Sequence, residues 1–432
     1  MIECFYALGG INYKNGVIST CPRQADQLVF ADETTLPSEI YNHKNFKDLR
    51  SKLYNNEWPS GCDSCEEMER DGLKSMRLDF SLIDNWFCKE GAKDKREGSN
   101  DSLISLYNDT THEVGFKGLR HVEIRFSNAC NFACLHCSKV FSTGWTKKIQ
   151  NYKPDIEVIQ NDLKQLMGTE HRHGSEDKSE MQLSTEDALK IVEDLNENFP
   201  NVEFIDFAGG ELLYQKQFFP TLKKLADHPN AKNMLISFHT NFNADFNVNE
   251  LTTALEPFKE SCIIISIDAG QKIYSYFRHG GTWNKLKQNI QDFKQINTFT
   301  HIDISCTTSI YQILEIEDVF KSFYELDCNM DASIVQTPKY INPSIAMYDF
   351  EKEILKDLRS TEDFIMKNLG PEKYDFKKWF DYIADYVKRT RLEYRHYNRW
   401  LVYRKKSDEI WQQNFNDYFQ NYQIDNGELI RA

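Results

Sequence analysis

The sequence predicts an α/β protein built on a parallel sheet, and two observations support this class. From about residue 119, short runs rich in Val, Ile and Phe alternate with longer stretches whose apolar residues follow a helical period. Strands that alternate with helices are typical of parallel sheets, because a parallel crossover needs a long connection. Cysteine- and glycine-rich turns follow the first two strands directly, at the edge where functional sites of α/β proteins gather.

The elements can be assigned in order along the chain. Six apolar runs are predicted to be strands, at 121–127, 202–208, 234–240, 262–268, 301–307 and 331–336. The helices predicted between them cover 184–198, 217–227, 248–258, 283–296 and 312–326. Ser184 is expected to cap the first of these helices, since acidic residues fill its first turn. This repeat fits either an open doubly wound sheet or an incomplete barrel, and the pattern alone does not choose.

The segments on either side of this repeat predict four parts in the chain. Residues 1–88 form one unit, and the charged stretch 89–118 is expected to be a linker. The strand–helix repeat fills 119–340, and 341–432 is expected to form amphipathic helices that pack on it. Within the repeat, the long polar stretch 153–183 is interpreted as a surface insertion or a lid.

Composition and charge exclude several functions. The 432 residues carry a net charge of −14, which disfavours nucleic-acid binding because a basic surface is needed for it. The chain lacks an apolar run of about 18 residues, so we expect no membrane span. The first residues lack the pattern of a secretion signal, so a cytoplasmic protein is expected. Eleven cysteines in a reducing compartment favour metal or catalytic use over disulfides.

Three cysteines follow the first predicted strand at the spacing C-x3-C-x2-C. They are Cys130, Cys134 and Cys137. Three close thiolates suit an iron–sulfur cluster whose fourth iron stays open for a ligand that is not protein. The alternative is zinc, with His136 as a further ligand, although a structural zinc usually draws on a second cysteine pair and none follows nearby.

This arrangement resembles the radical S-adenosylmethionine (radical SAM) superfamily, in which the open iron binds the amino and carboxylate groups of SAM. The resemblance implies a partial (β/α)6 barrel of the TIM type over 119–340. It also implies that the cluster of Cys130, Cys134 and Cys137 serves catalysis. In the family, reductive cleavage of SAM gives a 5′-deoxyadenosyl radical, which abstracts a hydrogen atom from the substrate.

A second motif follows the second predicted strand, where the chain reads Gly209-Gly210-Glu211. Glycines let the backbone approach a ligand closely, and a glutamate can accept hydrogen bonds from an amine. The motif is similar to the Gly-Gly-Glu of radical SAM enzymes that contacts the SAM amino group. An ordinary loop is the alternative for this short motif, but its position after the second strand favours the family role.

Five further residues match other parts of the family pattern. Asn241 stands in Thr-Asn-Phe after the third strand, where the family has Thr-Asn-Gly. Ser266 and Asp268 at the end of the fourth strand resemble the ribose-facing segment, with strand-end capping as the alternative. Arg278 resembles an arginine that contacts the SAM carboxylate or ribose, with a solvated surface position as the alternative. His136 replaces an aromatic residue of the family and can stack on adenine.

A second cysteine set lies near the N-terminus. Cys4 and Cys21 flank an Asn-Gly turn, which is a strong hairpin signal, and Cys62 and Cys65 follow a predicted helix. On the residues alone, zinc suits this set as well as iron and sulfide. The arrangement resembles a twitch module, the shortened form of the SPASM domain, placed before the barrel instead of after it. That resemblance implies an auxiliary four-iron four-sulfur cluster with four cysteine ligands. Cys88 is not assigned to either set.

The two cysteine sets together suggest a reaction class. Four thiolates leave no iron open for a substrate, so the auxiliary cluster would relay electrons in a net oxidation. Dehydrogenation of an alcohol or amine and radical modification of a peptide or protein both fit. The expected partners are a substrate that is either a peptide or a small sugar-like molecule, and a reductant such as flavodoxin or ferredoxin. A non-catalytic zinc or iron–sulfur protein is the alternative from another class.

Overall fold

A computed structural model defines most of the chain. It describes residues 2–14, 17–22, 24, 29–30, 35–70, 75–78, 103–137, 141–150, 182–297, 300–336, 338–368, 374–422, 424–425 and 428–429. The Asn-Gly turn at 15–16, Cys88, the first part of the expected linker and the expected insertion up to residue 181 lie outside the described residues.

The strands and helices are given in chain order. The strands are β1 Gly10–Lys14, β2 Val17–Ser19, β3 Val29–Phe30, β4 His121–Arg125, β5 Ala133–Cys134, β6 Phe204–Ala208, β7 Leu235–Thr240, β8 Glu260–Ser266, β9 Arg278–His279, β10 Thr300–Thr308, β11 Asn329–Ile334, β12 Ile424–Asp425 and β13 Glu428–Leu429. The helices are α1 Phe5–Gly9, α2 Pro37–Ile40, α3 Lys44–Tyr54, α4 Asp63–Arg70, α5 Thr143–Gln150, α6 Thr185–Asn198, α7 Phe218–Leu225, α8 Val248–Leu255, α9 Tyr274–Phe277, α10 Trp283–Ile296, α11 Ile310–Ile313, α12 Ile316–Leu326, α13 Glu351–Asn368, α14 Tyr374–Arg389, α15 Tyr394–Trp411 and α16 Phe415–Tyr418.

The chain forms two compact units, and the first comprises Met1–Asn128, Arg172–Phe238 and Phe246–Cys262. Its strands lie in the order β7-β6-β4-β1-β2-β3. β1, β4, β6 and β7 are parallel, whereas β1–β2 and β2–β3 are antiparallel. The N-terminal hairpin therefore joins the same sheet as the first two strands of the strand–helix repeat. From Leu103 onward the expected linker also packs on this unit, since Leu103 and Val114 are fully buried.

One row of side chains shows why these parallel strands hold together. The register aligns four fully buried aliphatic residues on four neighbouring strands, namely Ile11, Val122, Ile205 and Ile236. Burying one such side chain stabilises the fold by about 1.5–3 kcal/mol. Because side chains alternate between the two faces of a strand, the residues that follow them point to the opposite face.

The second unit comprises Ala129–His171, His239–Asp245 and Ile263–Ala432. In this unit β8, β10 and β11 are neighbours in the sheet, and β10 pairs with β11 in parallel. β5 and β9 form a separate antiparallel pair. The C-terminal helices pack through aromatic residues, as Trp400 is fully buried against Tyr311 and Phe415.

The α/β class with a helical C-terminal extension is confirmed. Each of the six predicted strands exists, but their ends differ by up to two residues from the prediction. The fourth strand, predicted at 262–268, ends at Ser266 because Asp268 takes a φ of +35°, which interrupts the extended backbone. In the described part of the chain, no helix has the length and apolar character that crossing a membrane requires.

Candidate functional site

The three-cysteine loop, with Cys130, Cys134 and Cys137, connects β4 to α5 in the second unit. The backbone folds back on itself, since the amide of Cys137 donates to the carbonyl of Cys134 at 2.9 Å. The hydroxyl of Thr143 accepts from the amide of Cys130 at 3.1 Å. Cys134 is buried, while Cys130 and Cys137 are half-buried. The loop thus carries three cysteines within eight residues, two of them joined by one turn.

Two aromatic residues that sequence reasoning missed anchor this loop. The indole Nε1 of Trp145 donates to the carbonyl of Cys134 at 2.9 Å. The hydroxyl of Tyr403, on α15, donates to the carbonyl of Leu135 at 2.5 Å. Trp145 lies only eight residues beyond Cys137 in the sequence, and this short separation could have indicated a contact with the loop. Nothing in the sequence links Tyr403 to a loop 268 residues earlier.

A buried ion pair lies against the loop. Arg278 pairs with Asp268 at 2.6 Å and directs another guanidinium nitrogen to the sulfur of Cys134 at 3.5 Å. Both side chains are almost fully buried, which excludes the solvated surface alternative for Arg278. Burial alone would lower the pKa of Arg278, but Cys134, Asp268, Tyr274 and Cys130 together raise it above its ordinary value. A fixed positive charge therefore stands beside the thiols, where it favours their thiolate form.

His136 and Asp268 lie together in this site. The imidazole Nε2 is 3.5 Å from the Asp268 carboxylate, and the ring stacks on Phe277 with centroids 5.1 Å apart. Burial lowers the pKa of His136, Asp268 raises it and Arg278 lowers it again, with a net decrease. The neutral ring is therefore favoured. One face of the His136 ring thus packs on Phe277 within the site.

The remaining predicted residues of this unit lie at strand ends. The side-chain amide of Asn241 donates to Asn131, inside the three-cysteine loop, at 2.8 Å. Asp268 also accepts from the amide of Thr307 at 2.8 Å, which fixes its carboxylate. Ser266 is half-buried at the end of β8. Contacts within the second unit thus bring together seven of the predicted site residues: Cys130, Cys134, Cys137, His136, Asp268, Arg278 and Asn241.

The residues of this site fit a cluster with an open iron and a zwitterionic ligand. Three thiols come from one turn, and a guanidinium beside them compensates the negative charge that a thiolate-bound cluster carries. The Nε of Arg278 has no hydrogen-bond partner among the described residues, so it remains available as a donor. A single tetrahedral zinc holds its sulfurs roughly 3.8 Å apart, given Zn–S bonds of about 2.3 Å. No three His, Cys, Asp or Glu side chains of the described segments are arranged to hold one metal ion.

The Gly-Gly-Glu motif lies in the first unit, after β6. Gly209 and Gly210 have φ angles of +91° and +53°, which side chains other than glycine rarely adopt. A Cβ on Gly209 would lie 3.1 Å from the carbonyl oxygen of Ser127 and 3.2 Å from the Cβ of Arg125. Glu211 is fully buried, and its Oε1 accepts from the amide of Leu213 at 3.0 Å. Glu211 therefore caps a short turn of helix, a role that the sequence did not predict.

The second cysteine set converges on one cavity. Cys4, Cys21, Cys62 and Cys65 all line this four-cysteine pocket of the first unit. Cys4 precedes α1 and Cys21 follows β2, while Cys62 directly precedes α4 and Cys65 lies in its first turn. The amide of Cys65 donates to the carbonyl of Cys62 at 3.0 Å, which sets the C-x2-C turn. The hairpin and the helix predicted from the sequence thus bring distant cysteines together.

The described lining of the four-cysteine pocket combines apolar residues, the polar Thr20, Gln24 and Ser64, and one cation. Leu49 and Leu53 form part of its wall, and Arg77 also lines it. Burial, followed by the nearby Cys4, Cys65 and Asp63, raises the pKa of Cys62 to about 12. Without a metal the Cys62 thiol stays protonated, whereas metal binding would displace its proton. Four cysteines around one cavity can supply the ligands of a four-iron cluster or of a zinc ion.

Comparison with protein families identifies the central part of the chain. Residues 124–319 match the profile of the radical SAM superfamily. This range contains the three-cysteine loop, the Gly-Gly-Glu motif, Asp268 and Arg278. No curated protein matches the chain.

Solved structures give distant matches. The chain is similar to anSMEcpe with bound AdoMet and the Cp18Cys peptide, with 19% identity and a TM-score of 0.37 over 57% of this chain and 60% of that one. It is also similar to Streptococcus suis SuiB bound to S-adenosylmethionine, with 14% identity and a TM-score of 0.34 over 68% and 60%. The chain thus matches about three fifths of the length of these two proteins.

Proposed function

We propose that the chain is an enzyme of the radical SAM superfamily, whose profile residues 124–319 match, and that it catalyses a net oxidation of its substrate with the help of an auxiliary cluster. The observation that carries the proposal is the pair of separate cysteine sites. One offers three thiols beside a buried guanidinium, and the other offers four thiols around one cavity. Three thiols would leave one iron of a four-iron cluster open, whereas four thiols would ligate all four irons.

When bound, the first cluster and SAM supply an electron and a 5′-deoxyadenosyl radical that removes a hydrogen atom from carbon. The three-cysteine loop would hold the cluster through Cys130, Cys134 and Cys137. Trp145 and Tyr403 donate hydrogen bonds to two backbone carbonyls of the loop. These bonds would keep the loop in one conformation when the charge of the cluster changes. A fixed environment of this kind spares the site reorganisation when an electron arrives.

The other predicted residues orient SAM. Arg278 has a free Nε donor and a fixed position on Asp268, so it suits the SAM carboxylate. His136 offers a neutral ring for the adenine, and Asn241, Ser266 and Asp268 offer polar groups for the ribose hydroxyls. In the first unit, Gly209 and Gly210 hold the turn that carries Glu211, whose carboxylate is suited to the amino group.

The four-cysteine pocket would hold the auxiliary cluster. Its four thiols would fill every iron, so it is suited to electron transfer and not to substrate binding. Leu49 and Leu53 form an apolar part of its wall, and the apolar surface around an iron–sulfur cluster influences its potential. Loss of a hydrogen atom followed by loss of one electron and one proton is a two-electron oxidation of the substrate.

Anaerobic reconstitution tests this proposal. We expect about eight irons and about eight sulfides per chain, because two four-iron clusters are bound. With dithionite and SAM the protein should form 5′-deoxyadenosine, measured by chromatography. Zinc in place of iron at either site, or failure to cleave SAM at full iron content, would contradict the proposal and favour a non-catalytic metal protein.

The substrate class can be settled by hydrogen transfer. Cells that make this protein would be grown in deuterated medium, and their extract separated into a peptide fraction and a small-molecule fraction. The fraction that contains the substrate should transfer deuterium into 5′-deoxyadenosine, which mass spectrometry detects. The Cys134→Ala protein is the control, since it should form no labelled product with either fraction. Transfer from the peptide fraction would identify a peptide substrate, and transfer from the other an alcohol or amine metabolite.

A further inference from the structure

A row of polar side chains crosses the sheet of the first unit. Directly next to the aliphatic row described above, the register aligns four polar residues on four parallel strands: Asn12, Glu123, Asp206 and Ser237. Asn12, Glu123 and Ser237 are at least 97% buried, while Asp206 is half-buried and keeps an accessible surface. Two acidic side chains side by side in a sheet are destabilising unless a function or a partner offsets them.

The row is held together but not fully satisfied. Glu123 accepts from the side-chain amide of Asn12 and from the Nε of Arg125, both at 2.5 Å. Among the described residues, the Oδ1 of Asn12 and the Nδ1 of His121 have no hydrogen-bond partner. Both side chains are more than nine-tenths buried, and Asn12 is directed into the row by its bond to Glu123. Buried polar atoms of this kind indicate a ligand with hydrogens to donate.

The row is adjacent to the four-cysteine pocket through one residue. Tyr6 lines the pocket, and its ring meets His121 edge-on with centroids 5.5 Å apart. Burial first, then Cys21, Cys4, Asp206 and Glu123, raise the pKa of Tyr6. The same phenol therefore lies within electrostatic range of both cysteines and both carboxyls.

The row also adjoins the Gly-Gly-Glu turn. A Cβ added to Gly209 would lie only 3.2 Å from the Cβ of Arg125. The Nε of Arg125 in turn donates to the carboxylate of Glu123. Because Asp206 and Glu123 each precede the end of their strand by two residues, they lie roughly 7 Å below that edge of the sheet. The row therefore lies between the turn proposed to meet SAM and the pocket proposed to take electrons.

We propose that Asp206, supported by Glu123, is the proton acceptor in substrate oxidation and works together with the cluster of the four-cysteine pocket. This inference rests on the proposed function. The substrate would be a carbon that bears a hydroxyl, amine or thiol, since only such a group has a proton to release on oxidation. The unpartnered Oδ1 of Asn12, which lies two strands away from Asp206, would accept a hydrogen bond from a second polar group of the substrate.

The step balances in atoms and electrons. The substrate first loses a hydrogen atom from carbon to the 5′-deoxyadenosyl radical. The substrate radical then gives one electron to the oxidised auxiliary cluster and its heteroatom proton to the Asp206 carboxylate. A carbon–heteroatom double bond forms as the heteroatom–hydrogen bond breaks, and the cluster is reduced by one electron.

Electrostatics couples the two acceptors even without substrate. An electron added to the cluster places negative charge near Asp206, which raises the affinity of the carboxylate for a proton. Burial, then the charge of Glu123, already raise the pKa of Asp206, while Ser237 and Arg125 lower it, with a net increase. The charged groups that act on Asp206 are Glu123 and Arg125, and the phenol of Tyr6 also lies within electrostatic range of it.

The test is a redox titration of the holoenzyme at several pH values, without substrate, followed by electron paramagnetic resonance. The signal of the auxiliary cluster is identified as the one that persists in the Cys134→Ala protein. If reduction draws a proton to Asp206, the midpoint potential of the auxiliary cluster should become more negative with rising pH, by up to about 59 mV per pH unit. Asp206→Asn should make this potential independent of pH. The control is Asp194→Asn, which removes another buried carboxyl, one that accepts from the amide of Ser38, and should leave the pH dependence unchanged.

A milder variant protects the test against misfolding of Asp206→Asn. Ser237→Ala removes a hydrogen bond that lowers the pKa of Asp206, so the pH range of the slope should shift upward. A potential that is independent of pH in the wild type, or an equal slope in wild type and Asp206→Asn, would overturn this inference while the proposed function stands. Absence of a second reducible cluster would instead overturn the proposed function itself.

Discussion

The three-cysteine loop and the four-cysteine pocket use the same ligand type but are built differently. The loop takes its cysteines from eight consecutive residues, whereas the pocket collects them from positions spread over 62 residues. Arg278 lies 3.5 Å from a sulfur of the loop and is held by Asp268. The pocket has apolar walls, and its cation, Arg77, is held by Glu69.

This difference teaches what each site can do. A short loop supplies three thiolates on one side of a cluster and leaves the other side free for a ligand. Ligands that arrive from a hairpin and a helix surround a cluster and close it. The comparison therefore predicts an open site for SAM and a closed site for electrons, and the following experiments are ordered by the size of the effect expected.

Removing one thiol from the three-cysteine loop should have the largest effect. Cys134→Ala leaves two thiolates, which do not hold a cluster with one open iron, so 5′-deoxyadenosine formation should fall below detection. About half of the iron should remain, because the four-cysteine pocket is unchanged. Cys262→Ala is the control, because Cys262 is a buried strand cysteine outside both cysteine sets. This variant should keep both 5′-deoxyadenosine formation and the full iron content. Continued SAM cleavage by Cys134→Ala would break the comparison.

Removing the four-cysteine pocket should separate SAM cleavage from oxidation. A protein with Cys4, Cys21, Cys62 and Cys65 changed to Ser should bind about four irons instead of about eight. It should still form 5′-deoxyadenosine, because the first site is complete, but it should not release oxidised product. Chromatography of both products measures this. Full product formation by the quadruple variant would show that the pocket is not an electron acceptor.

Changing Glu211 tests whether the buried carboxylate does more than cap its turn. Gln can still accept the hydrogen bond from Leu213, so Glu211→Gln should keep the thermal stability of the wild type. Loss of one charged hydrogen bond, worth about 1.5–3 kcal/mol, should weaken SAM binding by roughly tenfold or more. Calorimetry on the reconstituted protein measures the affinity. Unchanged affinity would show that Glu211 serves the turn alone.

Arg278→Lys should have the smallest effect and sharpen the role of the guanidinium. Lysine keeps the charge, but its three donors share one nitrogen and cannot reproduce the planar fork that reaches Asp268 and Cys134 from separate nitrogens. We expect SAM affinity to fall by roughly two- to fivefold, equivalent to about 0.5–1 kcal/mol, at unchanged iron content. A larger loss together with loss of iron would indicate that Arg278 supports the cluster itself.

Much of this account could be read from the sequence, because the informative features are local. The cysteine spacing, the Gly-Gly-Glu turn and the alternation of strands and helices are each set by a few neighbouring residues. The N-terminal hairpin and helix were also recognisable, and they bring Cys4 and Cys62 to the same cavity. These predictions required turn and capping rules, not knowledge of the tertiary fold.

The features that the sequence did not reveal depend on long-range contacts. Tyr403 reaches the three-cysteine loop from α15, and no local pattern reports such a contact. The acidic row shows the same limit, because Glu123 and Asp206 become neighbours only once the strand register is known. A signal was nevertheless present, since each is an acidic residue at the middle of its strand with an apolar residue on either side. Charges inside buried strands are costly, so they indicate partners or function.

One spectrum tests the central claim most directly. Electron paramagnetic resonance of the reduced, reconstituted protein should show two cluster signals. Addition of SAM should change only the signal that is missing in the Cys134→Ala protein, because only the three-cysteine loop leaves an iron open. The signal from the four-cysteine pocket should stay the same. A change in the signal that survives in Cys134→Ala, or no change in either signal, would contradict the assignment of one open and one closed site.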